Sequence, residues 1–402
     1  MNSTRHVSTS LFSWIVSALL LSAHGSQTAL AQTFTIDSQS ASIGTPDSFS
    51  SLPINGGDLL SGPAGGPPVG MPGPGPGLPA PGGVAPMAST LLIDPGAGGA
   101  IEIDAMSYGV DKNFAQAGAT DVFFSVDEFA VGAAGTVIAS EGAAGAAEAA
   151  ADAFSISLVP TLTAPVPFLD GNGVAPSGAL GLGLIEPNAP GAGSPDPGDN
   201  LDGLDANTTQ AHIAGGLFFS LDAGFTDPLE GLALTGTAAA NNRVGGDVLT
   251  FVTIFGFIST YASATELGLD QAGPGTDDID ALSLFDDGDG VYTPGIDSIA
   301  FSVRRGSAII GTIDPFSGLA IEEGDVLTDA LAVGGLAGAP PAILVPAELL
   351  GLKTARTHGV AFGDELDALD LVEVVPEPSS IVLMASAVAL LGVFGWRKRR
   401  QT

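Results

Sequence analysis

The feature that most constrains the fold of this chain is an internal repeat. Residues 34–60 and 301–327 align without a gap over 27 positions, of which 14 are identical. Self-similarity of this kind means that one supersecondary unit is built more than once and that each unit packs on its neighbours. The body of the chain is therefore predicted to be an array of related units.

Looser copies of the pattern divide residues 32–372 into four units, about 33–110, 121–206, 217–284 and 299–372. Each unit starts with a phenylalanine and a hydroxyl residue, has an aspartate 24 to 28 residues later, and closes with an Ile/Leu-Asp segment. The recurring positions are Phe34, Phe124, Phe219 and Phe301 at the start, Asp58, Asp152, Asp247 and Asp325 in the middle, and Asp104, Asp202, Asp280 and Asp367 in the closing segment.

The segments within each unit indicate β-structure. About four short apolar stretches per unit are separated by Gly, Pro, Asn and Asp, which is typical of strands joined by turns. The chain has 57 glycines and 29 prolines but only 14% charged residues, so few residues favour helices. We predict an all-β fold of four units with about four strands each. It is either β-propeller-like or a tandem of β-sandwich modules.

Two stretches depart from this pattern. Residues 61–86 are dense in Gly and Pro and lie inside the first unit, so they are predicted to form an exposed loop. Residues 142–153 are rich in alanine and form either a short helix or a loop.

The charge balance excludes one class of partner. Residues 32–396 carry 6 basic and 44 acidic side chains, a balance of −38. Such a surface repels phosphate groups, so we expect no binding of nucleic acid, whereas divalent cations suit it as counter-ions. The chain has no cysteine, which excludes disulfides, thiolate nucleophiles and cysteine-zinc sites.

Residues 1–31 have the pattern of a secretory signal peptide. Arg5 supplies the positive charge, Leu11–Ala23 is apolar, and Ala29 and Ala31 are the small residues of the cleavage site. The apolar stretch is shorter than the roughly 20 residues that span a bilayer. The body is therefore predicted to be exported.

The last residues, 375–402, combine three segments. The first is Pro376-Glu377-Pro378, whose prolines interrupt any helix from upstream. Residues 381–396 form an uncharged run of 16, which predicts a short transmembrane helix. The final segment, Arg397, Lys398, Arg399 and Arg400, is a basic cluster that keeps the tail on the cytoplasmic side of the inner membrane. A plain single-pass anchor is the alternative, but it does not need the Pro-Glu-Pro segment.

In this order, the three segments resemble the PEP-CTERM family of sorting signals. The resemblance implies recognition by an exosortase, an integral-membrane cysteine transpeptidase, and removal of the tail after transit through the inner membrane. Pro376, Glu377 and Pro378 are then a processing site. The resemblance also implies delivery to the cell surface or extracellular matrix, in association with exopolysaccharide. The body looks like a group of secreted bacterial proteins with repeated "DALS…FSVD" segments, to which no activity is attached.

Side chains for enzymatic chemistry are few in the exported part. His212 and His358 are its only histidines, and the chain has neither a Gly-x-Ser-x-Gly segment nor a P-loop. Carboxylates are plentiful, but no pair stands out as a glycosidase pair. We predict a non-enzymatic protein without a resident cofactor. The alternative is a calcium-dependent repeat protein that binds or cleaves carbohydrate.

Calcium is the ion that the sequence indicates. Asp286, Asp287 and Asp289 place hard oxygen ligands on one glycine-containing loop, and residues 277–280 and 170–172 are weaker versions of it. The alternative, that these aspartates cap tight turns through local hydrogen bonds, is the preferred interpretation. We also expect the four closing-strand aspartates to fix turns by bonding backbone amides, in preference to gathering around an axis to bind a cation or a sugar.

Overall fold

In the computed structural model of the protein, residues 31–372 form one compact unit. A second unit combines residues 1–30 with 373–402 and lies outside the described residues. The structure describes residues 32–371 except for these gaps: 47–52, 62–68, 71–91, 94–101, 110–120, 128–129, 142–148, 158–163, 174–178, 186–197, 207–216, 223–227, 229–235, 253–256 and 288.

The first two sheets are built from strands of the first half of the chain and one strand from its end. The first sheet has the order β19-β1-β2-β3, with β1 (Gln32–Phe34), β2 (Leu60–Ser61), β3 (Val69–Gly70) and β19 (Leu369–Leu371). The second sheet has the order β10-β9-β8-β6-β5, with β5 (Ala105–Ser107), β6 (Asp121–Ser125), β8 (Ala153–Ser157), β9 (Val166–Asp170) and β10 (Leu180–Gly181).

The other two sheets each use four consecutive strands. The third sheet consists of β11 (Leu204–Ala206), β12 (Leu217–Phe219), β13 (Val248–Val252) and β14 (Phe257–Ala262). The fourth sheet consists of β15 (Ile279–Phe285), β16 (Ser298–Val303), β17 (Val326–Thr328) and β18 (Ala342–Val345). A separate pair joins β4 (Leu92–Ile93) to β7 (Val131–Gly132).

Pairing within the sheets is antiparallel except between β9 and β10. The strand β1 pairs with β19, with Thr33 opposite Asp370, so the C-terminal strand completes the first sheet. One edge strand of each sheet packs against edge strands of the others: β5 and β15 contact both β11 and β19, and β5 also contacts β15. These four edge strands are called the inner strands below.

Helices are short and lie in the connections. The α-helices are α1 (Val137–Glu141), α2 (Thr237–Ala240), α3 (Ala264–Leu267) and α4 (Ala355–His358). Three-residue and four-residue 3₁₀ turns occur at Ala149–Ala151, Ala330–Val333 and Ala347–Leu349. Helix α3 begins with a capping box: the Ser263 side chain accepts from the Glu266 amide, and Glu266 accepts from the Ser263 amide.

The hydrophobic core is divided among the interfaces between consecutive sheets. One cluster joins the first and second sheets, the next joins the second and third, the next joins the third and fourth, and the last joins the fourth sheet back to the first. Strand β12 shows why the sequence has paired aromatics: Leu217 and Phe219 pack into one cluster and Phe218, on the opposite face, packs into the next. Both faces of such a strand are buried.

The described residues form four main sheets and few helices, so the all-β prediction is confirmed in the coarser form of a mostly-β fold. In the described residues, no strand pairing joins one of these sheets to the next, and no closed propeller is seen. The choice between a propeller and sandwich modules stays a prediction. Within the Gly/Pro-rich stretch 61–86, the described residues include β3, which pairs with β2. Within 142–153, a 3₁₀ turn occupies 149–151 and residues 142–148 lie outside the described part.

The predicted signal peptide, the processing motif, the run 381–396 and the basic tail all lie outside the described residues. Among the residues that are described, no helix has the length and apolar character needed to cross a bilayer.

Candidate functional site

One hydrogen bond recurs four times between neighbouring sheets. Each time, a hydroxyl at or just after the end of a strand donates to the main-chain carbonyl that precedes a closing-strand aspartate. The oxygen pairs are Thr35–Ile103 (2.9 Å), Ser125–Leu201 (2.7 Å), Ser220–Ile279 (3.1 Å) and Ser302–Leu366 (2.8 Å). The bonds link each sheet to the next and the fourth to the first, so the aspartates that follow the carbonyls occupy matching places.

All four closing-strand aspartates are buried just before or within the inner strands: Asp104, Asp202, Asp280 and Asp367. Burial raises the pKa of Asp202, Asp280 and Asp367 well above the ordinary value, and nearby carboxylates, including Asp104 in each case, raise it further. Acidic groups from all four sheets therefore lie within electrostatic reach of one another.

The expectation that these aspartates bond backbone amides is wrong for Asp202. Its Oδ1 accepts from the side-chain amide of Asn200 at 3.0 Å, and its Oδ2 has no hydrogen-bond partner. The Oδ2 atoms of Asp280 and Asp367 likewise lack a hydrogen-bond partner. The structure thus places the closing-strand aspartates around a common centre. This is the less favoured of the two arrangements predicted for them, in which they gather around an axis.

Within this centre, three carboxylates have the spacing of a metal site. One oxygen from each of Asp202, Asp222 and Asp278 lies within 4.8 Å of the others, and all three side chains are buried. Asp202 lies before β11, Asp222 follows β12, and Asp278 lies before β15, so two consecutive sheets contribute. We call these three residues the central triad.

Arg304 lies beside the central triad. Its Nη1 is 2.7 Å from Asp222 Oδ2, 3.9 Å from Asp202 Oδ2 and 4.0 Å from Asp278 Oδ2. Burial is the largest cause of the raised pKa of Asp278, followed by the charge of Asp222, while Arg304 lowers it. One guanidinium therefore faces three carboxylates and offsets their repulsion only in part.

Arg304 also marks a departure from the repeat. It stands where the other three units have Asp37, Asp127 and Asp222 after their Phe-Ser/Thr-apolar segments. The next residue, Arg305, is buried and its Nη2 lies 3.0 Å from Asp37 Oδ1 and 2.6 Å from Glu365 Oε2. In the sequence, an arginine at a position that is aspartate in the other three units marks the place where the acidic side chains meet. The sequence-based prediction did not use this signal.

In the structure, the predicted calcium loop has a different third carboxylate beside the first two. Asp286 and Asp287 lie together, but the third carboxylate within 4.8 Å is Asp297 and not Asp289. Asp289 is exposed and accepts from the Val291 amide at 2.8 Å, which is the turn-capping role given as the alternative.

The loop carboxylates already have hydrogen-bond donors. Asp297 accepts from the Asp287 amide at 3.0 Å and from the Thr293 amide at 2.6 Å. Asp286 accepts from the Tyr261 hydroxyl at 3.1 Å. Of the weaker calcium segments, residues 277–280 contribute Asp278 to the central triad.

The aspartates in the middle of the units stabilise connections between strands. Asp247 accepts from the amides of Val244 (3.2 Å) and Ala264 (2.9 Å). Asp325 does the same with Glu322 and Ala347, both at 2.9 Å, and also binds Arg356. Asp58 accepts from Asn55 and Asp152 from Gly171. We call Asp58, Asp152, Asp247 and Asp325 the capping series.

The described histidine does not lie beside a nucleophile in a buried site. His358 ends helix α4 and is exposed, and its Nδ1 lies 2.8 Å from the Thr357 hydroxyl and 3.3 Å from the Thr354 amide. His212 lies outside the described residues.

An open cavity of about 440 Å³ lies between the loop after β16 and the loop around α4. Its lining includes Arg305, Glu322, Glu323, Arg356 and Phe362. The Phe362 side chain is 41% exposed, and the Arg305 Cζ lies 5.9 Å from the centre of its ring. The charged side chains that line the cavity therefore already have ion-pair or hydrogen-bond partners, and they surround the exposed face of the Phe362 ring.

Comparison with known proteins identifies one segment of the chain. Residues 374–400 match the family model of the PEP-CTERM protein-sorting motif. The match includes the Pro376-Glu377-Pro378 segment, the uncharged run and the arginine-rich end. Neither a search of curated proteins nor a search of solved structures finds a significant match, so the predicted likeness of the repeat body to secreted repeat proteins gains no support from a relative.

Proposed function

We propose that this chain, which carries a PEP-CTERM sorting motif, is a non-enzymatic protein of the bacterial cell surface or extracellular matrix. The sorting motif at 374–400 carries the proposal, because it supports export and processing by an exosortase-type enzyme. The acidic, cysteine-free body suits an existence outside the cell. The signal peptide at 1–31 and the membrane helix at 381–396 belong to the same proposal.

The arrangement of the sheets favours the propeller-like alternative over tandem sandwiches. Each core cluster lies between two consecutive sheets, and the last lies between the fourth sheet and the first. Tandem sandwiches would instead enclose a separate core in each module. The four matching hydroxyl–carbonyl bonds follow the same cyclic order. We therefore propose that the sheets are four blades around the inner strands.

Processing can be tested in a bacterium that carries an exosortase. We expect the full-length chain to be shortened at its C-terminus and found outside the inner membrane, and to remain uncut when the exosortase gene is deleted. Replacing Pro376, Glu377 and Pro378 by alanine should block the shortening, whereas Glu373→Ala, outside the matched segment, should not. Mass spectrometry of fractionated cells measures both. An uncut chain in the cytosol would contradict the proposal.

A carbohydrate-binding surface is the second candidate, and the cavity beside Phe362 favours it. An exposed ring next to oriented carboxylate and guanidinium groups offers both the apolar face and the polar contacts that sugar rings need. Such a site would account for association with exopolysaccharide. Binding of the full-length chain to a glycan array should be lost in Phe362→Ala and kept in Phe257→Ala, which removes a comparably exposed ring from β14. Equal binding by both variants would argue against this cavity, and hydrolysis of any glycan would replace the non-enzymatic proposal.

A further inference from the structure

The central triad concentrates negative charge where water does not reach. Asp202, Asp222 and Asp278 are 1%, 4% and 0% exposed. Isolated charges are costly to bury unless they are paired or coordinate a metal. Arg304 supplies one positive charge beside three carboxyl groups, so the other two need a proton or a cation to balance their charge.

Unsatisfied oxygens are a second and separate observation. Asp278 Oδ1 and Asp202 Oδ2 are buried and accept no hydrogen bond. The side-chain oxygen of Asn200, whose amide nitrogen donates to Asp202, is also buried without a partner. Buried polar atoms in native proteins nearly always have a partner, and an unplaced ion is one established reason for the exceptions.

The spacing of the carboxylates suits a particular cation. Calcium binds oxygen ligands at about 2.3–2.6 Å, so ligands on opposite sides of the ion are about 4.6–5.2 Å apart. The three carboxylate oxygens lie within 4.8 Å of one another, so they are close enough to share one such ion. Magnesium requires shorter bonds of about 2.0–2.1 Å and a regular octahedron, which a set drawn from two sheets and shared with an arginine is less suited to provide.

We propose that the central triad, Asp202, Asp222 and Asp278, binds one calcium ion, with the Asn200 side-chain oxygen as a further ligand. The ion would neutralise the two charges that Arg304 leaves uncompensated. It would also connect the third and fourth sheets at their inner strands, which gives the ion a structural role at the centre of the body. The proposal is independent of the proposed surface function.

The loop cluster Asp286–Asp287–Asp297 provides the contrast. Its carboxylates accept hydrogen bonds from backbone amides and from Tyr261, and Asp287 is exposed, so these oxygens have the donors and the solvent contact that the unsatisfied triad oxygens lack. A substitution in this loop is therefore a matched control for one in the triad.

The test uses the full-length chain in detergent, purified without chelators. Mass spectrometry of metals should find calcium bound, and removal with EGTA should lower the melting temperature by about 5 °C or more, restored by calcium but not by magnesium. Asp278→Asn keeps the side-chain shape but should lose one calcium ion per chain and the melting shift. Asp287→Asn should keep both.

If Asp278→Asn does not fold, Asp202→Asn and the metal content of the unmodified chain decide. Absence of bound calcium together with a melting temperature unaffected by EGTA would overturn the proposal. So would a calcium-dependent shift that survives in the triad variants and disappears in Asp287→Asn.

Discussion

The capping series and the closing-strand series of aspartates both recur once in each unit, but their carboxylates have different surroundings. In the capping series, Asp247 and Asp325 each accept hydrogen bonds from two backbone amides. In the closing-strand series, Asp280 and Asp367 each keep an oxygen without a hydrogen-bond partner and lie close to other acids.

This difference separates carboxylates that are hydrogen-bonded by loop amides from carboxylates that lack such donors. A carboxylate that accepts amide hydrogen bonds stabilises the loop that donates them, and its charge is compensated locally. A buried carboxylate among other carboxylates raises the free energy of the folded protein until a proton or a cation binds there. The same residue type, recurring at the same interval, therefore supports the fold in one series and is available for a ligand in the other.

We expect the largest loss of stability from a substitution of Asp325, the member of the capping series that also binds an arginine. Asp325→Ala removes acceptors for two backbone amides and leaves Arg356, which binds Asp325 Oδ2 at 2.6 Å, without that partner. We expect a loss of about 3–5 kcal/mol in the free energy of unfolding, measured with urea. Glu348→Gln is the control: Glu348 binds the same arginine but is more exposed, so its loss should cost about 1 kcal/mol.

Helix α1 extends the comparison to a further buried carboxylate without a hydrogen-bond donor. Glu141 is buried at the end of α1, and burial, together with the charge of Asp170, raises its pKa from 4.5 to about 7. Its contribution to stability is complete below pH 4.5 and is lost as the pH rises through 7.

Glu141→Gln should therefore stabilise the protein at pH 8 by about 1–3 kcal/mol and leave it little changed at pH 4. Urea unfolding at both pH values measures the difference. An equal effect at both pH values would show that folding does not raise the pKa of this carboxyl group.

The most direct contrast comes from the same substitution made once in each series. In calcium-free buffer at neutral pH, Asp280→Asn removes a charge that is buried among acids and should stabilise by about 1–2 kcal/mol. Asp247→Asn removes one of two amide acceptors and should destabilise by about 1–2 kcal/mol. Thermal unfolding of the two variants shows whether each substitution stabilises or destabilises the protein. Two changes in the same direction would contradict the distinction between the capping series and the closing-strand series.

The smallest expected effect concerns the bonds that bring the closing-strand aspartates together. Ser220→Ala removes one hydroxyl–carbonyl bond between the third and fourth sheets and should cost about 1 kcal/mol. Ser302→Ala, at the matching place, should cost a similar amount. A much larger loss at one place would show that the four bonds are not equivalent.

Much of the local structure could be predicted from the sequence. Short apolar stretches separated by turn residues predicted short strands, and the structure confirms a mostly-β body with four sheets. The Asp-Asp-Gly-Asp segment indicated calcium ligands at Asp286, Asp287 and Asp289, and the fold brings Asp297 beside the first two. Asp289 is only two residues from Asp287, whereas Asp297 reaches the cluster because its segment turns back before β16.

The central triad could not be predicted, because its members are separated by long intervals. Asp202 and Asp278 are 76 positions apart and meet only because β11 packs against β15. The recurring turns predicted that each closing-strand aspartate bonds backbone amides. Whether a donor is present depends on the neighbouring sheet.

The sequence by itself determined where the protein is sent, the type of secondary structure and the recurrence of its polar residues. These properties depend on short segments: a linear sorting motif, apolar stretches bounded by turn residues, and the spacing of the repeated copies. Only the tertiary structure decided which aspartates are compensated and which are gathered in a buried acidic centre. The energy of a carboxylate depends on the donors, charges and water within a few ångströms, and distant parts of the chain supply those neighbours.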